Sequence, residues 1–494
     1  MKYCSTRGGV KGVDFSEIIF SNYADDGGLF VPEYIPIIDR DTLKSWSNMP
    51  YYKVAYNVLL YFVNDDIKSD LLDICKTAYS DMHFDTSDVV PLKTIDNNLM
   101  IMELFHGKTL AFKDLGLILL AFLMDYYTKK NGSKNKVNIV VQTSGDTGPA
   151  AASSVISTKS DNINIFVLYP LKQASDVQQS QLTTLMPKYS NVFIYGTDRN
   201  MDDQRFVSKD IFADKAFAKQ YNLSAMNSIN FVRVLGQLIY YVYYYLKCQP
   251  NCDKMINYII PSGAFGNTLA CCFAKKMGIP INDIIPCCNE NDIIYRVFNN
   301  GDLSQDAAKY EQTFAPAMDI VIPYNIERYL YLTLNQDCGK IKTIMNVFEN
   351  KEKYQFDDYI LNKYIKSIVT LSYKTSNKNI VTNIEYMLKK YNYLCCPHTS
   401  CAVYGYKQYI NTPQFNPNIK TVLVATAHPG KFPDIIKDNT SINITDSMLD
   451  HPFLPKPNDI KEFIHLKDCI DWRNNWANKI KKDIMQANKI KSKL

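Results

Sequence analysis

Three times along this chain a largely apolar run ends in a turn containing glycine and passes directly into a helical pattern. Residues 99–105 lead into 106–116, residues 137–142 into 143–149, and residues 255–260 into 261–267. No other feature restricts the fold as much. A strand that is apolar on both faces and is followed at once by a helix belongs in a parallel sheet covered by helices, so the pattern predicts an α/β architecture. Further β-like runs at 164–168, 192–195 and 421–425, with helices at 203–220 and 231–247, bring the count to that of two parallel-sheet α/β lobes.

The same reading divides the 494 residues. Residues 1–94 carry a Gly-rich start and amphipathic helical text from 42 to 79, as an N-terminal subdomain would. Residues 95–299 hold the α/β alternation. Residues 300–390 lose it, become rich in Tyr, Lys and Asn, and read as a helical insertion or outer helical layer. Residues 391–435 return to the core, and 436–494 read as a C-terminal helical segment.

Composition excludes several classes. Fifty-five Lys and Arg against 50 Asp and Glu leave +5 spread thinly over the chain, which argues against a nucleic-acid partner. The longest apolar stretches, 115–124 and 234–246, are shorter than the roughly 18 to 20 residues that cross a bilayer, so no membrane span is expected. The start, from Met1 to Arg7, has no apolar core of a secretory signal, and a cytoplasmic location is expected. Ser492-Lys493-Leu494 matches the peroxisomal address, although the Lys-rich tail around it also reads as a solvated helix end. Thirteen cysteines, several in adjacent pairs, are expected to be reduced core residues. The six histidines never pair within one helical turn and no Cys-x-x-Cys occurs, so no metal site is expected.

Ligands of open α/β folds bind beyond the carboxyl ends of the strands, where helix N-termini present backbone N–H groups. The first of the three turns, from His106 to Gly116, has Thr109 as a candidate N-cap and Lys113 in the first helical turn. A cation there opposes the helix dipole, and its neighbours Phe112 and Leu115 are apolar, so both effects favour the neutral, nucleophilic amine. Such an amine can form a Schiff base with a carbonyl ligand, of which pyridoxal phosphate (PLP) is the commonest in amino-acid metabolism; the plain alternative is a lysine that snorkels to solvent. The second turn, Thr143-Ser144-Gly145-Asp146-Thr147-Gly148-Pro149, suits a small anion, or is simply a capped turn. The third, Pro261 to Asn267, has glycines three apart and the outline of a phosphate cup. Two polar clusters, 227–233 with Arg233 and 426–432 with His428 and Lys431, put cations near strand ends, where a surface charge and a satisfied loop histidine are the alternatives.

Together these segments resemble threonine synthase of the longer, fungal and enterobacterial type, a PLP enzyme of the tryptophan-synthase-like fold type II family. The resemblance runs through YCSTRGG (3–9), DGGLFVP (26–32), HGKTLAFKD (106–114), TSGDTGPAA (143–151), NSINFVR (227–233), SGAFGNTLACCFAKKMG (262–278), PHTS (397–400) and TAHPGKF (426–432). It implies that Lys113 carries PLP covalently and is the catalytic residue. Gly263, Ala264, Phe265, Gly266 and Asn267 would bind the cofactor phosphate, and Thr426 the pyridine nitrogen. Thr143, Ser144, Asp146 and Thr147 would receive the substrate, and Asn230, Arg233 and Lys431 its phosphate, with His106 a candidate for tuning proton transfer. The implied reaction converts O-phospho-L-homoserine and water to L-threonine and phosphate, in a monomer or homodimer. Departures from the family pattern are Lys108 for Pro, Ala264 for Asn, Gly430 for Ala or Val, and the missing Gly-Arg-Val-Ser run at 171–176. Two alternatives accompany this reading: a threonine-synthase-like phospho-lyase of the animal type that releases 2-oxobutyrate from phosphothreonine or phosphohomoserine, and a non-catalytic protein on the same scaffold.

Overall fold

The computed structural model describes residues 1–132, 136–305, 310–456 and 458–489, so the Ser492-Lys493-Leu494 address lies outside the described residues. Its strands are β1 (Tyr3–Ser5), β2 (Phe30–Pro32), β3 (Leu92–Thr94), β4 (Leu99–Glu103), β5 (Val137–Gln142), β6 (Ile163–Pro170), β7 (Val192–Thr197), β8 (Leu223–Ser224), β9 (Ile256–Pro261), β10 (Ile281–Cys288), β11 (Tyr373–Lys374), β12 (Lys420–Ala425) and β13 (Ile464–Leu466). They form a β1-β2 hairpin-like pair, a six-stranded sheet in the order β11-β10-β9-β12-β4-β3, and a five-stranded sheet in the order β13-β7-β6-β5-β8. Every pairing in the two larger sheets is parallel except β3 on β4. The two parallel-sheet lobes are therefore present, and strands such as β6 and β9, buried along their whole length, explain the unbroken apolar runs.

The helix Phe231–Cys248 lies between the lobes, buried at every position except Lys247, and packs on the helices Tyr51–Leu59, Lys113–Lys130 and Gly266–Lys276. That burial accounts for its long apolar text; no described helix is long and apolar enough to cross a membrane. It crosses the Lys113 helix at two glycines. A Cβ on Gly236 would stand 2.6 Å from the Cα of Gly116, and one on Gly116 would stand 3.0 Å from the carbonyl oxygen of Arg233. Only paired glycines permit this approach, and it sets Arg233 beside the turn that carries Lys113.

Several expectations need correction. The helix expected over 203–220 is two, Met201–Ala213 and Lys215–Gln220, because Asp214 leaves helical geometry and its side chain caps Phe217 N at 3.1 Å. Residues 300–390 are not only an outer helical layer. Their strand β11 extends the large sheet, and the stretch 310–324 reaches into the cavity between the lobes. The C-terminal segment adds β13 to the small sheet as well as a helix, Trp472–Lys489, whose Trp476, Ile480 and Ile484 cover Val140, Phe166 and Tyr195. The cysteines are free thiols, buried apart from Cys338 and Cys469.

Candidate active site

The carboxyl ends of β4, β5, β9 and β12 open on one cavity of about 390 Å³, within the range of small-molecule and cofactor sites. The helix Lys113–Lys130 begins at its wall. Phe112, not Thr109, holds the N-cap position; Asp114 instead reaches back and accepts from Thr109 N at 2.9 Å and Thr109 Oγ1 at 2.5 Å. Phe112 N donates to Thr426 O at 2.8 Å and His428 N to Leu110 O at 3.0 Å, which ties the Lys113 turn to the end of β12 and brings Thr426 to the same wall.

Lys113 faces this cavity with its side chain only 13% exposed. Burial depresses its pKa, the charges of Arg233 and Lys431 depress it further, and Asp146, 3.3 Å from Nζ, opposes them. The amine is thus held toward its neutral form, as its place at a helix start predicts. Asp146 lies behind it. Burial works to raise the Asp146 pKa, but Lys431 at 3.1 Å and Lys113 overcome that effect and hold the carboxyl well below the usual range. Gln178 Nε2 donates to Asp146 Oδ1, the oxygen that also faces Lys431, at 2.8 Å.

The expectation that Asp146 and Lys431 contact the substrate is not what the geometry shows. Lys431 is completely buried; its Nζ donates to Thr109 O at 2.7 Å and Gln181 Oε1 at 2.8 Å and is ion-paired with Asp146. Asp146 is a carboxylate already shared by two ammonium groups and an amide, and it would repel an anion. The pair is a buried scaffold behind Lys113. Asn230 is likewise committed elsewhere: its Oδ1 caps Val232 N at 3.0 Å and its Nδ2 donates to Ile19 O at 2.9 Å, outside the cavity lining. His106 is bound between Asp85 at 2.7 Å and Glu103 at 3.2 Å, away from the cavity. His428 accepts from Gly430 N at 3.1 Å and is a satisfied loop histidine.

Of the anion turn Thr143, Ser144, Asp146 and Thr147 line the cavity, as do Gly263 to Asn267 of the cup. Thr143 braces the second turn, its Oγ1 accepting from Gly145 N at 3.0 Å, while Ser144 and Thr147 stay partly open at the start of the helix Thr147–Ser157. In the third turn Gly263 and Ala264 face the cavity and Phe265 adopts a left-handed conformation, φ 66°. Its ring is held inward against Phe298 and Tyr329, with ring centres 5.6 and 5.5 Å away, and that packing offsets the strain. Asn325 Nδ2 donates to Ser228 O and Ala264 O, and its Oδ1 accepts from the buried Arg328 at 2.8 Å. Arg233 is 2% exposed and lines the cavity. Among the described residues its side chain has one hydrogen bond, to Met226 O at 3.3 Å, and its Nε has no partner; burial lowers its pKa to about 10.

Sequence reasoning missed other lining groups. His398 lies close enough to Asp146, Lys113 and Lys431 to feel their charges; burial lowers its pKa to about 4, and its neutral Nε2 accepts from Ala317 N at 3.0 Å. Its signal was its place at a helix start directly after a proline. Asp319, raised to about 6 by burial, and Tyr324 come from the segment read as a helical insertion, where nothing in the sequence singled them out. Among the described residues no three His, Cys, Asp or Glu converge on a metal position.

The chemistry of the lining fits PLP: an amine whose pKa is lowered by burial stands in one cavity with a turn at a helix start, where the buried amide nitrogen of Asn267 has no partner among the described residues. Two parallel α/β lobes meeting around such a lysine define a PLP-dependent enzyme of fold type II. Residues 2–79 match the family model described as threonine synthase N terminus. The chain is 36% identical over 455 residues to threonine synthase-like 2 of Xenopus laevis, covering 91% of this chain and 93% of that protein. It is 35% identical over 465 residues to threonine synthase of Saccharomyces cerevisiae, covering 89% of each. The crystal structure of PLP-bound threonine synthase from Brucella melitensis superposes with a TM-score of 0.88 at 31% identity, covering 99% of this chain and 100% of that one. The chain belongs to the threonine synthase family.

Proposed function

We propose that this protein converts O-phospho-L-homoserine and water to L-threonine and inorganic phosphate, with PLP held by Lys113. One observation carries the choice of a phosphorylated substrate: Arg233, a buried guanidinium with an unmet Nε and no carboxylate partner among the described residues, in the same cavity as Lys113. A buried cation without a counter-charge favours an anionic ligand.

When bound, PLP supplies the electron sink that lets a proton leave the substrate Cα. The residues of this chain do the rest. The Gly263 to Asn267 turn holds the cofactor phosphate at a helix start, and Thr426 meets the ring nitrogen with a neutral hydroxyl. Ser144, Thr147 and the N-terminus of their helix receive the substrate carboxylate. Lys113, whose pKa burial lowers, removes the Cα proton as its amine and returns one later. Arg233 binds the phosphate and carries the charge that grows on it as a proton leaves Cβ and the Cγ–O bond breaks; Cγ then takes up a proton, and water adds with its hydroxyl going to Cβ and its proton to Cα. Asp146 and Lys431 keep the amine oriented, and His398, neutral, adds no competing charge.

The 36% identity to threonine synthase-like 2 motivates a second reading, elimination without retention of the amine, releasing 2-oxobutyrate. Supplying phosphohomoserine and phosphothreonine separately and identifying the products decides between them. Threonine from phosphohomoserine supports the first reading; 2-oxobutyrate without threonine overturns it.

A further inference from the structure

We propose that Tyr240 and Tyr241 are positioning residues that lock the side-chain amide of Asn267 with its oxygen turned toward them, which leaves its NH2 group as a dedicated donor to a phosphate monoester. The inference rests on the PLP reading above and extends it to residues that do not themselves line the cavity.

Asn267 is the second residue of the helix Gly266–Lys276, is 5% exposed and lines the cavity. Its Oδ1 lies 2.6 Å from the Tyr240 hydroxyl and 2.6 Å from the Tyr241 hydroxyl. Separations that short belong to O–H···O bonds; an amide nitrogen would stand farther from a hydroxyl oxygen, so the atom facing the tyrosines is the oxygen. Both tyrosines are fully buried, and burial keeps them protonated, hence able to donate. With its oxygen held by two donors, the planar amide has one orientation left for its nitrogen. Nδ2 is buried and meets no acceptor of the protein.

The two tyrosines are themselves held. Their rings stand 4.9 Å apart and converge on one oxygen, Tyr241 packs edge-on to Tyr258 at 4.9 Å, and the Tyr258 hydroxyl donates to Tyr241 O at 3.2 Å. Both belong to the helix Phe231–Cys248, which two turns earlier presents Arg233 to the same cavity. A group with several acceptor oxygens and negative charge suits an NH2 donor beside the backbone N–H groups of a helix start. Without the hydroxyls the amide can rotate by half a turn and present its oxygen to the phosphate, which repels it.

Equilibrium dialysis of the full-length chain, stripped of cofactor, against PLP and separately against pyridoxal tests this, because pyridoxal lacks only the phosphate. In the Tyr240→Phe/Tyr241→Phe double variant, PLP affinity is expected to fall about tenfold while pyridoxal affinity stays within about twofold of the wild type, the loss of one hydrogen bond to a charged group. Asn267→Ala should show the same loss, and adding the two Phe substitutions to it should lose nothing more. An unchanged ratio of PLP to pyridoxal affinity in the double variant, or additive losses on top of Asn267→Ala, overturns the inference. Should the double variant lose pyridoxal binding too, the single Phe variants decide by the same ratio. Failure of the wild type to bind PLP overturns the functional reading itself, and this inference with it.

Discussion

Replacing Asp146 with Asn keeps the shape of the side chain and removes the charge that two ammonium groups share. The carboxylate is 4% exposed, 3.1 Å from Lys431 Nζ and 3.3 Å from Lys113 Nζ, and the Lys431 side chain has no exposure at all. Breaking a buried pair by removing one partner costs about 3–5 kcal/mol, and the retained amide oxygen places this change near about 3 kcal/mol. The pH dependence follows from the sign of the shift. The folded pKa of Asp146 is depressed below an unfolded value of about 3.9, so its stabilisation is complete above the unfolded value and is lost only as pH falls through the folded one. Urea denaturation followed by circular dichroism should therefore show a gap between wild type and Asp146→Asn that is constant from about pH 8 to about pH 5 and narrows below about pH 4. In the same variant Lys113 loses the carboxylate that opposes its desolvation, so its labelling by an amine-reactive reagent should begin at lower pH. Equal stabilities at pH 7, or a gap that widens in acid, would refute a shared counter-charge.

Other substitutions probe separate links. Lys113→Ala should lower turnover by at least about a thousandfold with the far-ultraviolet spectrum unchanged, and borohydride should no longer fix PLP to the peptide carrying position 113; wild-type-like turnover would remove Lys113 from the chemistry. Arg233→Met should raise the urea midpoint of the cofactor-free chain, by about 1 kcal/mol or more, yet lower kcat/KM for the phosphorylated substrate by about a hundredfold. A destabilised variant with normal kinetics would contradict both halves. Gly236→Ala places a methyl 2.6 Å from the Gly116 Cα and should cost about 1–3 kcal/mol as the helices part, read by the same denaturation. The His398 ring, held neutral down to about 4, should show no titration in its NMR signals from about pH 5 to about pH 8. Because its folded pKa is below the unfolded one, it subtracts stability as pH falls from about 6.5 toward 4. A midpoint near neutrality would show that the ring is solvated.

What the chain's own text determined is what short-range physics controls. The strands β4, β5 and β9 were legible because a buried parallel strand must be apolar throughout, and the turns after them because a strand entering a helix needs glycine and capping groups there. Lys113 could be singled out for the same reason: helix dipole and apolar neighbours act within one turn. Lys431, Asn230 and His106 show the limit. Each has the chemistry of an anion or proton site, and each is spent on partners 21 to more than 300 residues away or within its own turn: Lys431 on Thr109, Asn230 on Ile19, His106 on Glu103 and Asp85. Whether a cation is free or paired depends on who is brought beside it, and the letters near it do not encode that. The tertiary structure alone decided that 310–324 walls the cavity, that His398 joins Lys113, and that two tyrosines of a buried helix orient Asn267. The reason is physical: strand period and helix start are local properties of the backbone, whereas charge pairing and hydrogen-bond satisfaction are settled only when distant segments pack and water is expelled.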